Sequence, residues 1–292
     1  MRKAREKIVE KILFLCSFIT ILTTLGIIFI LLFQTIGFFK EVSIIEFLTD
    51  SEWTPLFSEK HFGILPLLSG TLLISFIALM FALPIGLTIA IYLNEFAPKS
   101  FRKSIKPMLE LLAAVPTVVY GFFALIVVTP FLQKFFPDMA GFNGLSAGLV
   151  MGIMIIPYIS SLSEDALYAV PKSLREASYG MGSTRLQTAF KVTVPAASSG
   201  IVVSVILALS RAIGETMIVT VAAGMQPRLT LNPFVPIETI TAYIVQVSSG
   251  DVPFGSIEYK TIYAAGIALF VFTFILNNIS FWVKKRYQEK YD

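Results

Sequence analysis

Charged side chains are scarce in this chain of 292 residues. Only 14% of the residues are charged, whereas 55% are hydrophobic. A soluble domain needs more charge than this to cover its surface, so the composition excludes an ordinary soluble protein. The net charge of +4 is small, and basic loops at a membrane surface account for it better than a nucleic-acid-binding surface does.

The sequence also lacks the residues that catalysis or a metal site would need. Cysteine and histidine occur once each, as Cys16 and His61, which excludes a disulfide and a cysteine-rich metal site. Neither a Ser/His/Asp constellation nor the G-x-x-x-x-G-K-[ST] loop of many ATP-binding proteins is present. We therefore predict that the chain is not an enzyme and holds no cofactor. Any process that consumes energy would have to draw it from an ion gradient or from a partner protein.

What the sequence does contain is long apolar runs. Five runs carry no charge, and a sixth is interrupted only by Arg211 and Glu215; each is long enough for a bilayer crossing of about 20 residues. We predict an all-α integral membrane protein with one domain over residues 12–283, between an N-terminal segment (1–11) and a C-terminal tail (284–292). Its six transmembrane helices are expected at about residues 12–39, 64–94, 111–133, 144–163, 196–224 and 261–283.

The positive charges of the loops predict the orientation. Seventeen of the 23 Lys and Arg residues lie in the two terminal segments, in the loop between spans two and three, and in the 164–195 loop between spans four and five. Five lie in the loops of the opposite side. Because cytoplasmic loops are rich in Lys and Arg, we expect both termini and the 164–195 loop to be cytoplasmic.

The most polar folded stretch covers residues 171–195. Its residues favour helix on both sides of Gly180 and Gly182, which can adopt the positive φ that a sharp reversal needs. Ser183 or Thr184 can cap the second short helix. We interpret two short helices joined by a glycine corner at a membrane surface as a contact for another protein.

Arg211 and Glu215 are the charges inside an apolar run. If that run starts at Ile201, Arg211 lies about 15 Å along the helix, near the middle of the membrane. Glu215 lies one turn further on the same face. Each charge costs on the order of 2.5–3.5 kcal/mol in such a position. Two interpretations are open: a structural ion pair that joins two helices, or a site in a substrate path.

The second interpretation makes a chemical prediction. A guanidinium offers planar, paired donors to a tetrahedral oxyanion, and Glu215 can hold Arg211 while the path is empty. Glu215 can also accept a hydrogen bond from a protonated anion, and phosphate keeps a proton at neutral pH whereas sulfate does not. We expect neutral hydrogen bonds along the same path from the hydroxyl groups of Ser210, Thr216, Thr71, Thr117, Tyr120 and Ser160.

The 171–195 stretch also carries a known motif. Glu176-Ala177-Ser178, then Gly182 after three residues, then Val192-Thr193-Val194-Pro195 after nine, resembles the EAA loop of ABC-importer permeases, E-A-A-x3-G-x9-I-x-L-P. Ser178, Val192 and Val194 are mild departures from that pattern. The resemblance implies a coupling helix that contacts an ATPase through Leu174, Arg175, Glu176, Ala177, Ser178, Gly182 and Pro195.

Further stretches resemble the PstC permeases of phosphate-specific ABC importers. They are residues 53–55, 70–71, 92–98, 116–122 and 211–217, the last reading Arg-Ala-Ile-Gly-Glu-Thr-Met. This resemblance implies a MetI-like fold and ATP-driven import of inorganic phosphate by alternating access, in the cell membrane of a prokaryote. It implies as partners a PstA-type permease in a heterodimer, a PstB-type ATPase dimer that binds ATP and Mg, and a PstS-type phosphate-binding protein.

Three other functions stay open at this point. A permease for another oxyanion, such as sulfate, molybdate or tungstate, should lack the combination of Arg211 and Glu215 in this context. A secondary transporter driven by an ion gradient predicts inverted repeats with discontinuous spans and no cytoplasmic contact segment. A structural or assembly protein would have no reason to bury an arginine and a glutamate at mid-depth.

Overall fold

The computed structural model describes residues 2–287, so that Met1 and residues 288–292 of the predicted tail lie outside it. Within that range the backbone is helical, and extended backbone pairs only at two isolated bridges, Trp53 with Phe62 and Gly224 with Ile237. Three π-helical turns, Tyr92–Phe96, Ala124–Val128 and Ala189–Thr193, continue the α-helices that end at Ile91, Phe123 and Thr188. The helices are α1 (Arg2–Phe39), α2 (Ile44–Thr49), α3 (Leu65–Ile91), α4 (Lys99–Ala114), α5 (Thr117–Phe123), α6 (Thr129–Gln133), α7 (Gly144–Tyr168), α8 (Lys172–Gly180), α9 (Arg185–Thr188), α10 (Val194–Ala196), α11 (Ser198–Ile213), α12 (Met217–Ala222), α13 (Ile240–Ser249) and α14 (Ile257–Tyr287).

The helices have the lengths and composition of a multi-pass membrane protein, as predicted. Four helical stretches are long and apolar enough to cross a bilayer: Val9–Phe39, Leu65–Phe96, Gly144–Tyr168 and Ile257–Ile279. Two pairs of helices pass the same test only as bent units, Ser100–Ala114 with Thr117–Gln133 and Arg185–Ala196 with Ser198–Ile213. Counting each bent pair as one span gives six crossings.

The stretch 111–133, expected to be one helix, is divided at Val115 and Pro116. The backbone of both residues is extended, and the helices on either side meet at 85°. A proline disfavours the helical region for the residue before it, so α4 ends at Ala114. Tyr120 bridges the break, because its Oη donates to the Leu112 carbonyl over 2.8 Å.

The stretch 196–224, also expected to be one helix, is divided twice. A bend of 71° at Ala197 separates α11 from the preceding helical turns. At its other end α11 stops at Ile213, and Gly214, Glu215 and Thr216 connect it to the short helix α12. Gly214 follows the last helical residue, and the Glu215 amide closes the turn by donating to the Ala212 carbonyl over 3.1 Å. Residues 196–224 therefore form two helices and a linker that carries Glu215.

The core is built around the close approach of α3 and α7. A Cβ added at Gly148 or Gly152 of α7 would lie 2.7 Å from Ile77 or 2.9 Å from Phe81 of α3. In a membrane, helices associate through such van der Waals contact rather than through the hydrophobic effect. Buried side chains of α7, α11 and α12 complete this core, among them Met151, Met154, Ile155, Ala208, Ile218 and Val219.

Two smaller clusters lie at opposite ends of α3. Near its first residues, edge-to-face aromatic contacts connect Phe38, Phe47, Trp53 and Tyr243. Near its last residues, a cluster joins Ala90, Ile91, Leu167 and Ala189. We call these the α13 end and the α8 end of the bundle. In the predicted orientation, the α13 end faces outward and the α8 end faces the cytoplasm.

The segment before α13 packs directly on α3. A Cβ added at Gly70 would lie only 2.1 Å from the carbonyl oxygen of Glu238. Thr71 Oγ1 accepts a hydrogen bond from the Ile240 amide over 3.1 Å, and the Ile237 amide donates to the Ala223 carbonyl over 2.9 Å. The backbone around Glu238 is therefore held between α3 and the end of α12.

We expect Gly70→Ala to destabilise the protein, since the new methyl group would displace the Glu238 backbone. Overpacking of this kind typically costs about 1–3 kcal/mol. The measurement is the midpoint of thermal unfolding of the purified protein in detergent. Gly26→Ala in α1 is the matched control, because a Cβ there meets no atom within 4 Å and alanine favours helix. Equal midpoints for the two variants would contradict the close approach at Gly70.

Candidate functional site

Arg211 and Glu215 form an ion pair where α11 ends. Arg211 Nη1 lies 3.2 Å from Glu215 Oε2. The two side chains differ in exposure, since 38% of the Arg211 side chain is exposed but only 2% of the Glu215 side chain. The carboxylate is thus the buried member of the pair, and the guanidinium is the member that a molecule outside this chain can reach.

Glu215 has structural contacts as well as its pairing with Arg211. Its Oε1 accepts hydrogen bonds from the amides of Met217, at 3.1 Å, and Ile218, at 3.4 Å, the first residues of α12. Its carbonyl accepts a hydrogen bond of 2.7 Å from Thr241 Oγ1 of α13. A carboxylate suits the first turn of a helix, where amides lack helical partners. Glu215 therefore connects α11, α12 and α13 and fixes the position from which Arg211 is held.

Two predicted path residues lie beside this pair. Ser210 Oγ donates to Oδ1 of Asn277 in α14 over 3.2 Å, and Thr216 Oγ1 donates to the Gly214 carbonyl over 3.3 Å. Asn277 was not among the predicted site residues, although an amide inside an otherwise apolar helix is a signal for such a role. Ser210, Arg211, Glu215 and Thr216 thus lie together at the end of α11.

Within the described residues, the other four predicted path residues make no hydrogen bond to the side chains of the pair, and three of their hydroxyl groups are engaged elsewhere in the fold. Thr71 Oγ1 donates to the Leu67 carbonyl at 2.8 Å in addition to accepting from Ile240. The fully buried Ser160 donates to the Pro157 carbonyl at 3.2 Å, and Tyr120 is the bridge across the α4–α5 break. Thr117 is half-buried at the first residue of α5. Their roles in a substrate path stay predictions.

The segment with the EAA-like motif forms two helices joined by a tight corner. Gly182 has φ +83°, as expected for the reversal, whereas Gly180 is the last residue of α8 and does not adopt a positive φ. Thr184 is the cap: its Oγ1 accepts from the Gln187 amide while Gln187 Oε1 accepts from the Thr184 amide. Ser178 Oγ and Thr188 Oγ1 lie 2.9 Å apart and tie the two helices together.

One face of α8 packs on the bundle and the other is exposed. Leu174 packs on the cluster at the α8 end, and Arg175 Nη2 donates to the Leu167 carbonyl of α7 over 2.7 Å. The side chains of Glu176 and Ala177 are exposed on the opposite face. Pro195, in α10, is also exposed. This arrangement leaves Glu176 and Ala177 accessible to a protein that contacts α8.

A polar cleft of about 560 Å³ lies beside α8. On its floor Arg175 Nη2 lies 3.5 Å from Oε1 of Glu95, whose side chain is 3% exposed. Charges of both signs surround the cleft, and its lining includes Glu95, Lys172, Arg175, Glu176 and Arg185. Glu95 lies in the π-helical turn after α3, so α8 is connected to both α3 and α7.

A second ion cluster, not predicted from the sequence, holds α4 against α7. Glu164, 1% exposed in its side chain, pairs with Arg102 and, at 3.0 Å, with Lys106. Lys106 also lies 2.8 Å from Asp165. The sequence did contain a signal for this cluster. Two acids begin the predicted loop 164–195, and the loop between spans two and three, predicted on the same side of the membrane, is basic. Helix α7 continues to Tyr168, so these acids lie on a helix.

Comparison with known proteins gives a consistent family. Residues 82–289 match the family model described as "Binding-protein-dependent transport system inner membrane component". The chain is 39% identical to the "Probable ABC transporter permease protein YqgH" of Bacillus subtilis, over 80% of this chain and 75% of that protein. It is 37% identical to the "Phosphate transport system permease protein PstC" of Mesorhizobium japonicum, over 82% of this chain and 78% of that protein.

Solved structures agree with the sequence relatives on the fold. A bacterial ABC transporter involved in the import of the polysaccharide alginate superposes with a TM-score of 0.61 at 20% identity, covering 91% of this chain and 93% of that chain. A helical permease fold of this type was predicted from the apolar runs and the EAA-like motif. The chain therefore belongs to the family of binding-protein-dependent transport system inner membrane components and, within it, to the PstC permeases.

Proposed function

We propose that this chain is the permease subunit of an ATP-driven importer that moves inorganic phosphate across the cytoplasmic membrane. The observation that carries the proposal is the half-exposed guanidinium of Arg211, held by the buried carboxylate of Glu215 at an interruption of the helix. Relatives at 30–37% identity that carry the name of phosphate transport permeases support the same substrate.

The chemistry of the pair suits a phosphate anion that passes through the membrane. The guanidinium keeps its charge at any physiological pH and presents donors in a plane, which matches two oxygens of an oxyanion. Glu215 neutralises that charge when no anion is present, so the empty path does not hold an isolated buried cation. Phosphate that arrives with a proton can donate to Glu215 Oε2 and bind Arg211 at the same time.

Partner proteins supply the energy for transport and deliver the substrate. ATP and Mg bind to a PstB-type ATPase dimer, and this chain contributes no nucleotide site and no cofactor. The exposed face of α8 contacts the ATPase. The hydrogen bond between Ser178 and Thr188 makes α8 and α9 move as one body, and Arg175 connects α8 to α7. A PstA-type permease completes a heterodimer, and a PstS-type protein delivers phosphate to the outer face. Alternating access then exposes Arg211 to each side in turn.

The membrane orientation follows from the loop charges. The α8 end carries the basic loops and lies in the cytoplasm, together with both termini. The α13 end faces the outside, where the binding protein docks. The protein is a multi-pass component of a prokaryotic cell membrane.

Arg211→Ala is expected to cause a large loss of phosphate uptake without preventing assembly. Hydrogen bonds to a charged group contribute about 1.5–3 kcal/mol, so uptake should fall by about 10-fold or more. The measurement is uptake of radiolabelled phosphate by proteoliposomes that contain the complete complex, with subunit composition checked on a gel. Lys134→Ala, which removes an exposed positive charge elsewhere, is the control. Normal uptake by the Arg211 variant would refute its role in the path.

Glu215→Gln is expected to lower the preference for phosphate over sulfate. The glutamine oxygen can still accept from the α12 amides, so the helix start is preserved while the negative charge is lost. The measurement is inhibition of phosphate uptake by sulfate, compared with Glu46→Gln, which neutralises an exposed acid in α2. An unchanged ratio of the two affinities would show that Glu215 does not select the anion.

Glu176→Lys is expected to weaken attachment of the ATPase by about 10-fold, since it reverses a charge on the exposed face of α8 while leaving the contacts of Ser178 and Arg175 in place. Binding of the purified ATPase to permeases in lipid nanodiscs is the measurement. Glu46→Lys makes the same change of charge at the opposite end and serves as the control. Equal ATPase affinities for the two variants would exclude Glu176 from the contact.

A further inference from the structure

A second polar feature lies at the α13 end, in a cavity of about 380 Å³. One wall is the loop that begins at Trp53, a second is the segment that follows Gly224, and a third is α13. Most of the lining is apolar, and Glu238 is the one ionisable acid among the lining residues. The lining consists of Trp53, Thr54, Pro55, Leu56, Phe57, Met225, Gln226, Pro227, Glu238, Tyr243 and Gln246.

Glu238 is an acid without a partner in this cavity. The residue is 1% exposed, and neither Oε1 nor Oε2 has a hydrogen-bond partner within residues 2–287. Burial raises the pKa of Glu238 to about 8. A buried carboxyl group without a hydrogen bond is costly, so such a group points to a ligand that supplies the missing donor.

The backbone holds Glu238 in this position. Gly70 contacts its carbonyl, the Ile237 amide is bonded to Ala223, and the Ile240 amide is bonded to Thr71. The residues on both sides of Glu238 are thus pinned to α12 and α3. The backbone contacts therefore fix Glu238 at the wall of the cavity.

The walls next to Glu238 are aromatic. The rings of Trp53 and Tyr243 are each 1% exposed, and they meet edge to face with centroids 5.0 Å apart and an angle of 84°. Tyr243 Oη lies 2.6 Å from Thr261 Oγ1, so that hydroxyl group already has a partner. Aromatic faces attract an ammonium or guanidinium group, and a carboxyl group at the same site pairs with its charge.

The rim of the cavity favours a protein side chain over a free amine. Leu56 and Phe57 are 42% and 66% exposed, and with the half-buried Met225 and Pro227 they give the opening an apolar border. Lys and Arg side chains lay an apolar stem on such a surface and place the charge beyond it. Exposed acids nearby, including Glu52 and Glu59, add complementary charge.

From these observations we infer that the cavity receives a lysine or arginine side chain of the substrate-binding protein, with Glu238 as the acceptor of its charge. This inference rests on the proposed function, because it assigns the docking partner of the outer face. The segment from Glu238 to Thr241 would then contact the partner at one end and the Glu215 carbonyl at the other.

Glu238→Gln tests the acceptor. We expect the cognate phosphate-binding protein to bind the complete complex in nanodiscs about 10- to 100-fold more weakly in this variant, because a buried charge pair is lost. n-Butylguanidinium should compete with the binding protein in the wild type and have no effect on the variant. Glu46→Gln, which removes an exposed acid of α2 at the same end of the bundle but outside the cavity lining, is the control for net charge and should leave the affinity unchanged.

Gln246→Lys tests the cavity in the opposite way. Gln246 lines the cavity, so a lysine there can pair with Glu238 within the chain. We expect this variant to unfold at a higher temperature than the wild type and to bind the binding protein at least about 10-fold more weakly, although Glu238 is intact. This pair of results separates occupation of the site from a folding defect.

Three outcomes overturn the inference. They are unchanged docking in Glu238→Gln, unchanged docking in Gln246→Lys, and binding of n-butylguanidinium at Glu238 without any effect on docking, which would indicate a site for a free amine. If the wild-type complex neither transports phosphate nor binds the phosphate-binding protein, the proposed function fails instead. The cation site can still be tested in that case. n-Butylguanidinium should raise the unfolding temperature of the wild type more than that of Glu238→Gln, and equal shifts would overturn the cation site.

Discussion

The buried carboxylate of Glu215 is the contact on which the rest of the candidate site depends. Its two oxygens bind the guanidinium of Arg211 and the first amides of α12, and its carbonyl accepts from Thr241 of α13. An apolar residue here would leave a positive charge and helix amides without partners in an apolar setting. The structural and the functional interpretations of the pair are therefore compatible, because Glu215 performs the structural part and Arg211 is the accessible group.

The interruptions of the helices are stable because their backbone groups are satisfied. Irregular backbone within a membrane persists only where protein or a polar cavity provides its hydrogen bonds. At the α4–α5 break the Leu112 carbonyl receives the Tyr120 hydroxyl. At the α11–α12 break the Glu215 carboxylate accepts hydrogen bonds from the first amides of α12. Polar residues at such breaks can thus stabilise the fold and at the same time be available to a substrate.

Local chemistry was predictable from the sequence and long-range contact was not. The corner at Gly182, the cap at Thr184 and the number of apolar runs follow from residue types a few positions apart. The sequence alone could not tell which of Gly180 and Gly182 forms the corner, and only Gly182 adopts a positive φ. The engagement of Thr71 by Ile240, 169 residues away, has no local signal. Glu238 was missed for the same reason: its isolation is visible only when α3, α12 and the 53–57 loop enclose it.

The elbow at Ala197 has a mechanical consequence. Residues 185–196 form a nearly continuous helix that begins beside α8 and meets α11 at 71°. Because the two helix axes differ by 71°, a displacement of residues 185–196 along their own axis is directed mostly across α11 rather than along it. Under the proposed function, such a displacement would tilt α11 and thereby move Arg211, which lies near the far end of that helix.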